Sequence, residues 1–220
     1  MAVAPVNKFL TVAVPVAPGT QKLYEVPTGV SSILLFAQVS NVGIGATYPT
    51  VTFWHRRESR STGNTRDIRI IKDIQIPPND AVVLVDGRLV LEKDAIKLDS
   101  LYINAVQTGI VTITNVQYYE PTGVATVTTL TPHGFSPNDP ITMSGIAMTC
   151  PSGSGITTTI FPSPQSSFVV DSIVNSVGTS RTFTTTVGSA NGIVHTYVSG
   201  GLVAPLQMEF IASILENSTS

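Results

Sequence analysis

Charge is scarce in this sequence. Charged residues make up 12% of the 220 positions, against roughly 25% in an average soluble domain. The formal net charge is −2, which argues against a protein that holds nucleic acid by bulk attraction, and no nucleic-acid partner is expected. A single cysteine, Cys150, excludes an intrachain disulfide. Long apolar runs are missing too: no segment approaches the ~20 residues that a membrane-spanning helix needs. The apolar stretch after Lys8 is broken by Pro15 and Pro18 and has no cationic leader, so it does not read as a signal peptide. A soluble protein made in the cytoplasm, without a membrane partner, is the expectation.

Helical periodicity is equally scarce. The best candidate, VLEKDAIKL (90–98), is short and reads as well as a turn between two strands. Signatures of chemistry are missing as well. The three histidines, His55, His133 and His195, have neither Cys150 nor a carboxylate at metal-ligand spacing. There is no Gly-x-Ser-x-Gly elbow, and PSGSG (151–155) precedes no helix, so it reads as a flexible loop. NVGIGAT (41–47) lacks the strand-to-helix context of a phosphate-cradling loop and reads as a hairpin or an inter-strand loop. Cys150 has no visible activating partner and reads as a small buried hydrophobe. His133 reads as a loop residue that fixes a Pro-His-Gly turn, and His195 as a half-exposed cross-strand partner. No catalytic, cofactor-binding or metal-ligating residue is assigned, and no enzyme is expected.

What is abundant is strand signal. KLYEV (22–26), SSILLFAQVS (31–40), TVTFWH (50–55), AVVLV (81–85), LYINAV (101–106), IVTITNVQYY (110–119) and LQMEFIASIL (206–215) are rich in β-branched and aromatic residues. In the last of these, Leu206, Met208, Phe210, Ala212 and Ile214 share one face. In IVTITNVQYY, strict alternation puts Val111, Ile113, Asn115, Gln117 and Tyr119 together. RDIRIIKDIQI (66–76) breaks its alternation at Ile70-Ile71, which predicts a bulge or a strand bend. Turn signals such as Pro27-Thr28-Gly29 and Pro77-Pro78-Asn79-Asp80 separate the runs.

The composition changes after Pro121. From 121 to 205 the charged residues are Asp139, Asp171 and Arg181, and Thr, Ser and Gly dominate. The expected fold is all-β: an antiparallel, jelly-roll-like sandwich of 1–121 plus 203–220, with a small Thr/Ser/Gly-rich β module, 122–202, inserted near the C-terminus. Closing such a long loop is tolerable because its entropy cost grows slowly with length. Two consecutive domains, the second taking the C-terminal strand, are the alternative.

The order QKLYEVPTGVSSILLFAQVSNVG, then TVTFWH, then IIKDIQIPPNDAVVLVDGRLVLEKDAIKL resembles a β-sandwich module of phage particle proteins. VATVTTLTPHGFSPNDPITMSG resembles a second phage-associated module. Together they resemble virion structural proteins of large tailed bacteriophages of marine cyanobacteria. The resemblance implies a place in the virion and assembly with phage structural proteins of capsid or tail, as a homo-oligomer. It carries over no active-site residues. A neck, tail or fibre adhesin that binds a host receptor or carbohydrate is the second reading.

One charge feature stands out. Arg56, Arg57, Arg60, Arg66, Arg69 and Lys72 are six of the twelve basic residues. Arginine forks suit carboxylates of a neighbouring subunit. The competing reading is a solvated hairpin neutralised by Glu58, Asp67 and Asp73. Phe53 and Trp54 alternate beside this run, so one is expected in the core and the other as an interface anchor. The candidate interface residues are therefore Trp54, Arg56, Arg57, Arg60, Arg66 and Arg69.

Overall fold

The computed structural model describes residues 7–152, 155–189 and 193–218, with the side chains of 151–159 also outside the description. All regular elements among the described residues are strands. Contacts divide the chain into two compact units, Met1–Val106 with Gln207–Ser220, and Gln107–Leu206.

The first unit is a sandwich of two four-stranded sheets. One has the order β1 (Asn7–Pro15), β17 (Met208–Ser218), β3 (Val30–Asn41), β6 (Ala81–Glu92). The other has the order β2 (Gly19–Glu25), β7 (Lys97–Val106), β4 (Thr50–Ser59), β5 (Thr65–Gln75). Counted within this unit, the first strand pairs with the eighth, the second with the seventh, the third with the sixth and the fourth with the fifth, all antiparallel. That is a long hairpin rolled over itself, the jelly-roll arrangement. Period-two alternation sends one face of each strand between the sheets. Leu34, Val39, Phe53, Leu101, Ile103, Phe210 and Ile214 fill that space and are fully buried. Phe53 and Phe210 stack across it with ring centroids 6.1 Å apart.

Local irregularities follow sequence cues. The Ile70-Ile71 break is a bulge, since Phe53 faces Ile71 and Trp54 faces Arg69. The 90–98 segment is not a helix: it ends β6 at Glu92, turns over 93–96 and opens β7 at Lys97. Asp94 Oδ1 accepts hydrogen bonds from the backbone N–H groups of Ile96 and Lys97 at 2.7 and 2.8 Å. NVGIGAT links β3 to β4, tied by Asn41 Nδ2 donating to the Thr47 and Ile76 carbonyls.

The second unit closes on itself. β8 (Val111–Tyr119), β9 (Val124–Thr129), β14 (Thr182–Thr186), β13 (Ser167–Val174), β10 (Pro140–Ser144) and β16 (Leu202–Pro205) pair in that order, and β16 returns to β8. Closure leaves the ring without an unpaired edge. Val127, Ile141, Met143, Val170, Phe183 and Val203 fill its interior. A side ribbon of β15 (Thr196–Ser199), β11 (Ala147–Ser152) and β12 (Gly155–Ile160) joins β8 through Thr196 and Gln117. Gly123, between β8 and β9, has φ +72°, and a Cβ there would sit 2.3 Å from the Gly188 carbonyl carbon, so only glycine fits this approach.

Three sequence expectations change. Residues 107–121 and 203–206, assigned above to the outer sandwich, fall in the second unit, because β8 and β16 pair only with strands of the inserted segment. The strict alternation of 110–119 fails at a bulge between Ile113 and Asn115, after which Val116 turns inward and Asn115 outward. Of the PSGSG loop, Pro151, Ser152 and Gly155 stand in paired strands, and 153–154 lie outside the described residues.

Candidate functional site

The basic run lies on β4, β5 and the turn between them, in the sheet β2-β7-β4-β5. Alternation along β4 turns Phe53 inward and Trp54 outward. The register then sets Lys22, Tyr102, Trp54 and Arg69 in one row across the outer face, and Glu25, Ser100, Arg56 and Asp67 in the next. Trp54 and Tyr102 stack at 5.6 Å between centroids, 13° from parallel. The Arg56 guanidinium lies 4.4 Å from the Tyr102 ring centroid, a cation–π contact. Its fork also closes on Asp67, at 2.6 and 2.8 Å. Arg56 beside it holds the Asp67 carboxyl below its ordinary range. Packed this way, Trp54 is only 7% exposed. A polar groove of about 410 Å³ runs beside it, lined in part by Thr20, Thr52, Arg56, Asp67 and Asn104.

The six candidate residues do not form one patch. Trp54, Arg56 and Arg69 share the outer face. Arg57 points the other way and forks onto Asp99 of β7 at 2.7 and 2.6 Å. Asp99 is fully buried, also accepts from the Glu92 backbone N–H at 3.0 Å, and has His55 Nε2 3.1 Å away. Burial pushes its carboxyl up, but Arg57, the Glu92 amide and His55 together hold it below the ordinary value. Arg60 in the turn donates to the Asp94 carbonyl at 2.7 Å. Arg66, opposite Arg57 in register, is exposed, as is Arg69. Of the expected neutralising acids, Asp67 serves Arg56. Asp73 accepts from the Thr52 hydroxyl at 2.8 Å and lies 3.8 Å from Lys72. Tyr102, Asn104 and Asp99 escaped sequence reading. Alternation in LYINAV sets Tyr102 and Asn104 on one face, but nothing local says that β7 lies beside β4.

In the second unit His133 Nδ1 accepts the Phe135 backbone N–H at 3.0 Å and so fixes its turn. Its ring is buried, 5.0 Å from Phe135 and 5.3 Å from Phe183. His195 lies just before β15 rather than within a strand. It stacks on Phe161 at 4.1 Å, and its Nδ1 contacts Cys150 Sγ, 45 residues away, a partner the sequence did not reveal. Burial lowers the pKa of both histidines.

The fold therefore defines a class, a jelly-roll sandwich carrying a closed β-barrel between its last two strands. No protein-family model and no curated protein sequence matches the chain. Among solved structures it is similar to infectious bursal virus derived T=1 particles, with TM-score 0.30, 9% identity and 97% of this chain aligned to 40% of that one. It is similar to VP2 of the infectious bursal disease virus subviral particle, with TM-score 0.27 and 9% identity, aligning 97% of this chain to 41% of that one. It is also similar to the CBM22-1-CBM22-2 tandem domain of Paenibacillus barcinonensis Xyn10C, with TM-score 0.24, 9% identity, and 98% and 92% of the two chains aligned. The chain spans about two fifths of the length of the two viral proteins.

Proposed function

We propose that this chain is a non-enzymatic structural protein of a tailed bacteriophage particle, joining a capsid or tail lattice through protein–protein contacts. The observation that carries the reading is where the molecule keeps its side chains. The space between the sandwich sheets is filled by Phe53, Phe210, Leu34, Leu101 and Ile103. The strongest ion pairs of the basic run are closed within the chain, Arg56 on Asp67 and Arg57 on Asp99. What such a molecule offers a partner is its faces. Jelly rolls serve capsids, lectins and cupins alike, so fold alone does not choose. The modular resemblance of the two sequence segments to phage particle proteins favours the capsid or tail. Quantitative mass spectrometry of purified particles tests this: lattice-scale copy number supports it, and absence from particles overturns it.

The groove beside Trp54 favours a second reading, a receptor- or glycan-binding module. Its Thr, Asn, Arg and Asp side chains offer the donors and acceptors that sugar hydroxyls need. Binding to host glycans that is lost in Asn104→Ala, together with a low copy number, would favour it.

A further inference from the structure

The sheet β1-β17-β3-β6 has an outer face that neither reading uses. One register row across it is Phe9, Leu215, Ile33 and Val90. Two rows away, Ile211 and Val83 flank Gln38. Phe9 is 75% exposed, Val90 53% and Ile211 42%. The opposite face of the same strands is the sandwich core, so these strands are apolar on both sides. Strands of that kind belong to sheets covered on both faces. The ionisable groups nearby stand at the margin and carry both signs: Asp86 and the exposed Arg88 on the edge strand β6, the exposed Lys8 next to Phe9 on the edge strand β1, and Glu209 a row beyond Ile211.

The dimensions fit a particular occupant. Four strands spaced about 4.8 Å apart, along nine residues rising about 3.3 Å each, give a face of about 19 by 30 Å. That is about 570 Å² per molecule and about 1,100 Å² for a pair, just above the roughly 1,000 Å² that a specific interface needs. An uncharged centre with charges of both signs at the rim can meet its own copy without burying an unpaired charge. We infer that this face is a contact between two copies of the chain, packed sheet on sheet about a two-fold axis. The inference rests on the structural-protein reading for its context and names one partner within it.

Sedimentation equilibrium of the full chain tests it, using Phe9→Lys and Ile211→Lys separately, with Thr65→Lys at an exposed position of β5 on the opposite sheet as control. Phe9 is on an edge strand, so its variant keeps the fold; circular dichroism verifies both. Expected is a wild-type dimer, a dissociation constant raised about a hundredfold in each face variant, since each buries a lone ammonium, and no change in the control. A wild-type chain that stays monomeric overturns the inference, as does a dimer indifferent to both lysines. Face variants that lose incorporation into particles while the wild type is monomeric also overturn it, and assign the face to a different particle protein. A face-dependent dimer that is absent from particles supports the inference while ending the structural-protein reading.

Discussion

The two sheets of the sandwich share one core and present opposite outer faces. On β2-β7-β4-β5 the outward side chains are Lys22, Glu25, Arg56, Asp67 and Arg69 around a Trp54–Tyr102 stack. On β1-β17-β3-β6 they include Phe9, Ile33, Val83, Val90 and Ile211, interspersed with Thr11, Ser213 and Gln38 and with Asp86 and Glu209 toward the margin. On the first face Lys22 pairs with Glu25 and Arg56 with Asp67, while Arg69 stands in solvent, where a charge is well hydrated. The second leaves apolar area in water, at about 25 cal/mol per Å². In a chain this poor in charge, the polar groups are concentrated where one sheet must face solvent.

The sharpest way to break that contrast is to remove the buried anchor behind the charged sheet. Asp99→Ala removes the acceptor shared by Arg57, the Glu92 amide and His55, and leaves Arg57 only its 3.7 Å contact with the Glu92 carboxylate. It is expected to cost about 3–5 kcal/mol in denaturant unfolding, and a loss below ~1 kcal/mol would mean the cluster is peripheral. Phe210→Ala, on the inner side of the apolar sheet, empties the space against Phe53 and should cost a similar 3–5 kcal/mol. Arg56→Lys keeps the charge but loses the fork on Asp67 and the contact with Tyr102. A partly exposed pair predicts about 1 kcal/mol in the same assay. Arg69→Ala should fall within about 0.5 kcal/mol, because an exposed side chain has little to lose.

pH separates the two units in the same spirit. In the barrel His133 and His195 have pKa values lowered by burial, with the Thr182 backbone opposing the shift at His133. Their contribution is full above the unfolded value of about 6.5 and is lost as pH falls through the lower folded value. Asp67 and Asp99 also have lowered values. Their contribution is full above about pH 4 and disappears only below that. Amide exchange followed by mass spectrometry should show barrel peptides losing protection between about pH 6.5 and pH 4, before the sandwich does. His133→Asn should flatten that dependence, and equal loss in both units would refute the assignment.

Much of this was legible in the residues. Strands 31–40 and 101–106 appear where expected; that of 206–215 begins only at Met208, with Leu206 in the second unit, and Met208, Phe210, Ala212 and Ile214 face inward as read. Asn7–Pro15 escaped notice because Pro15 was taken as a break, yet a proline at the end of an edge strand costs no ladder bond. Ala147–Ser152 and Leu202–Pro205 were too short to signal themselves. The boundary between units was misplaced because composition reports surface chemistry, whereas β8 belongs with the strands it pairs to.

What the sequence determined by itself is the all-β class and, where alternation is unbroken as from Met208 to Ile214, the face that turns inward. Alternation has a period of two residues and is written locally. Tertiary structure alone decided which strands are neighbours. It thereby decided that Arg57 meets Asp99 rather than Glu58, that Tyr102 lies under Arg56, and that His195 touches Cys150. Pairing between distant strands is chosen by the packing of the whole core, to which each short segment contributes only a small part.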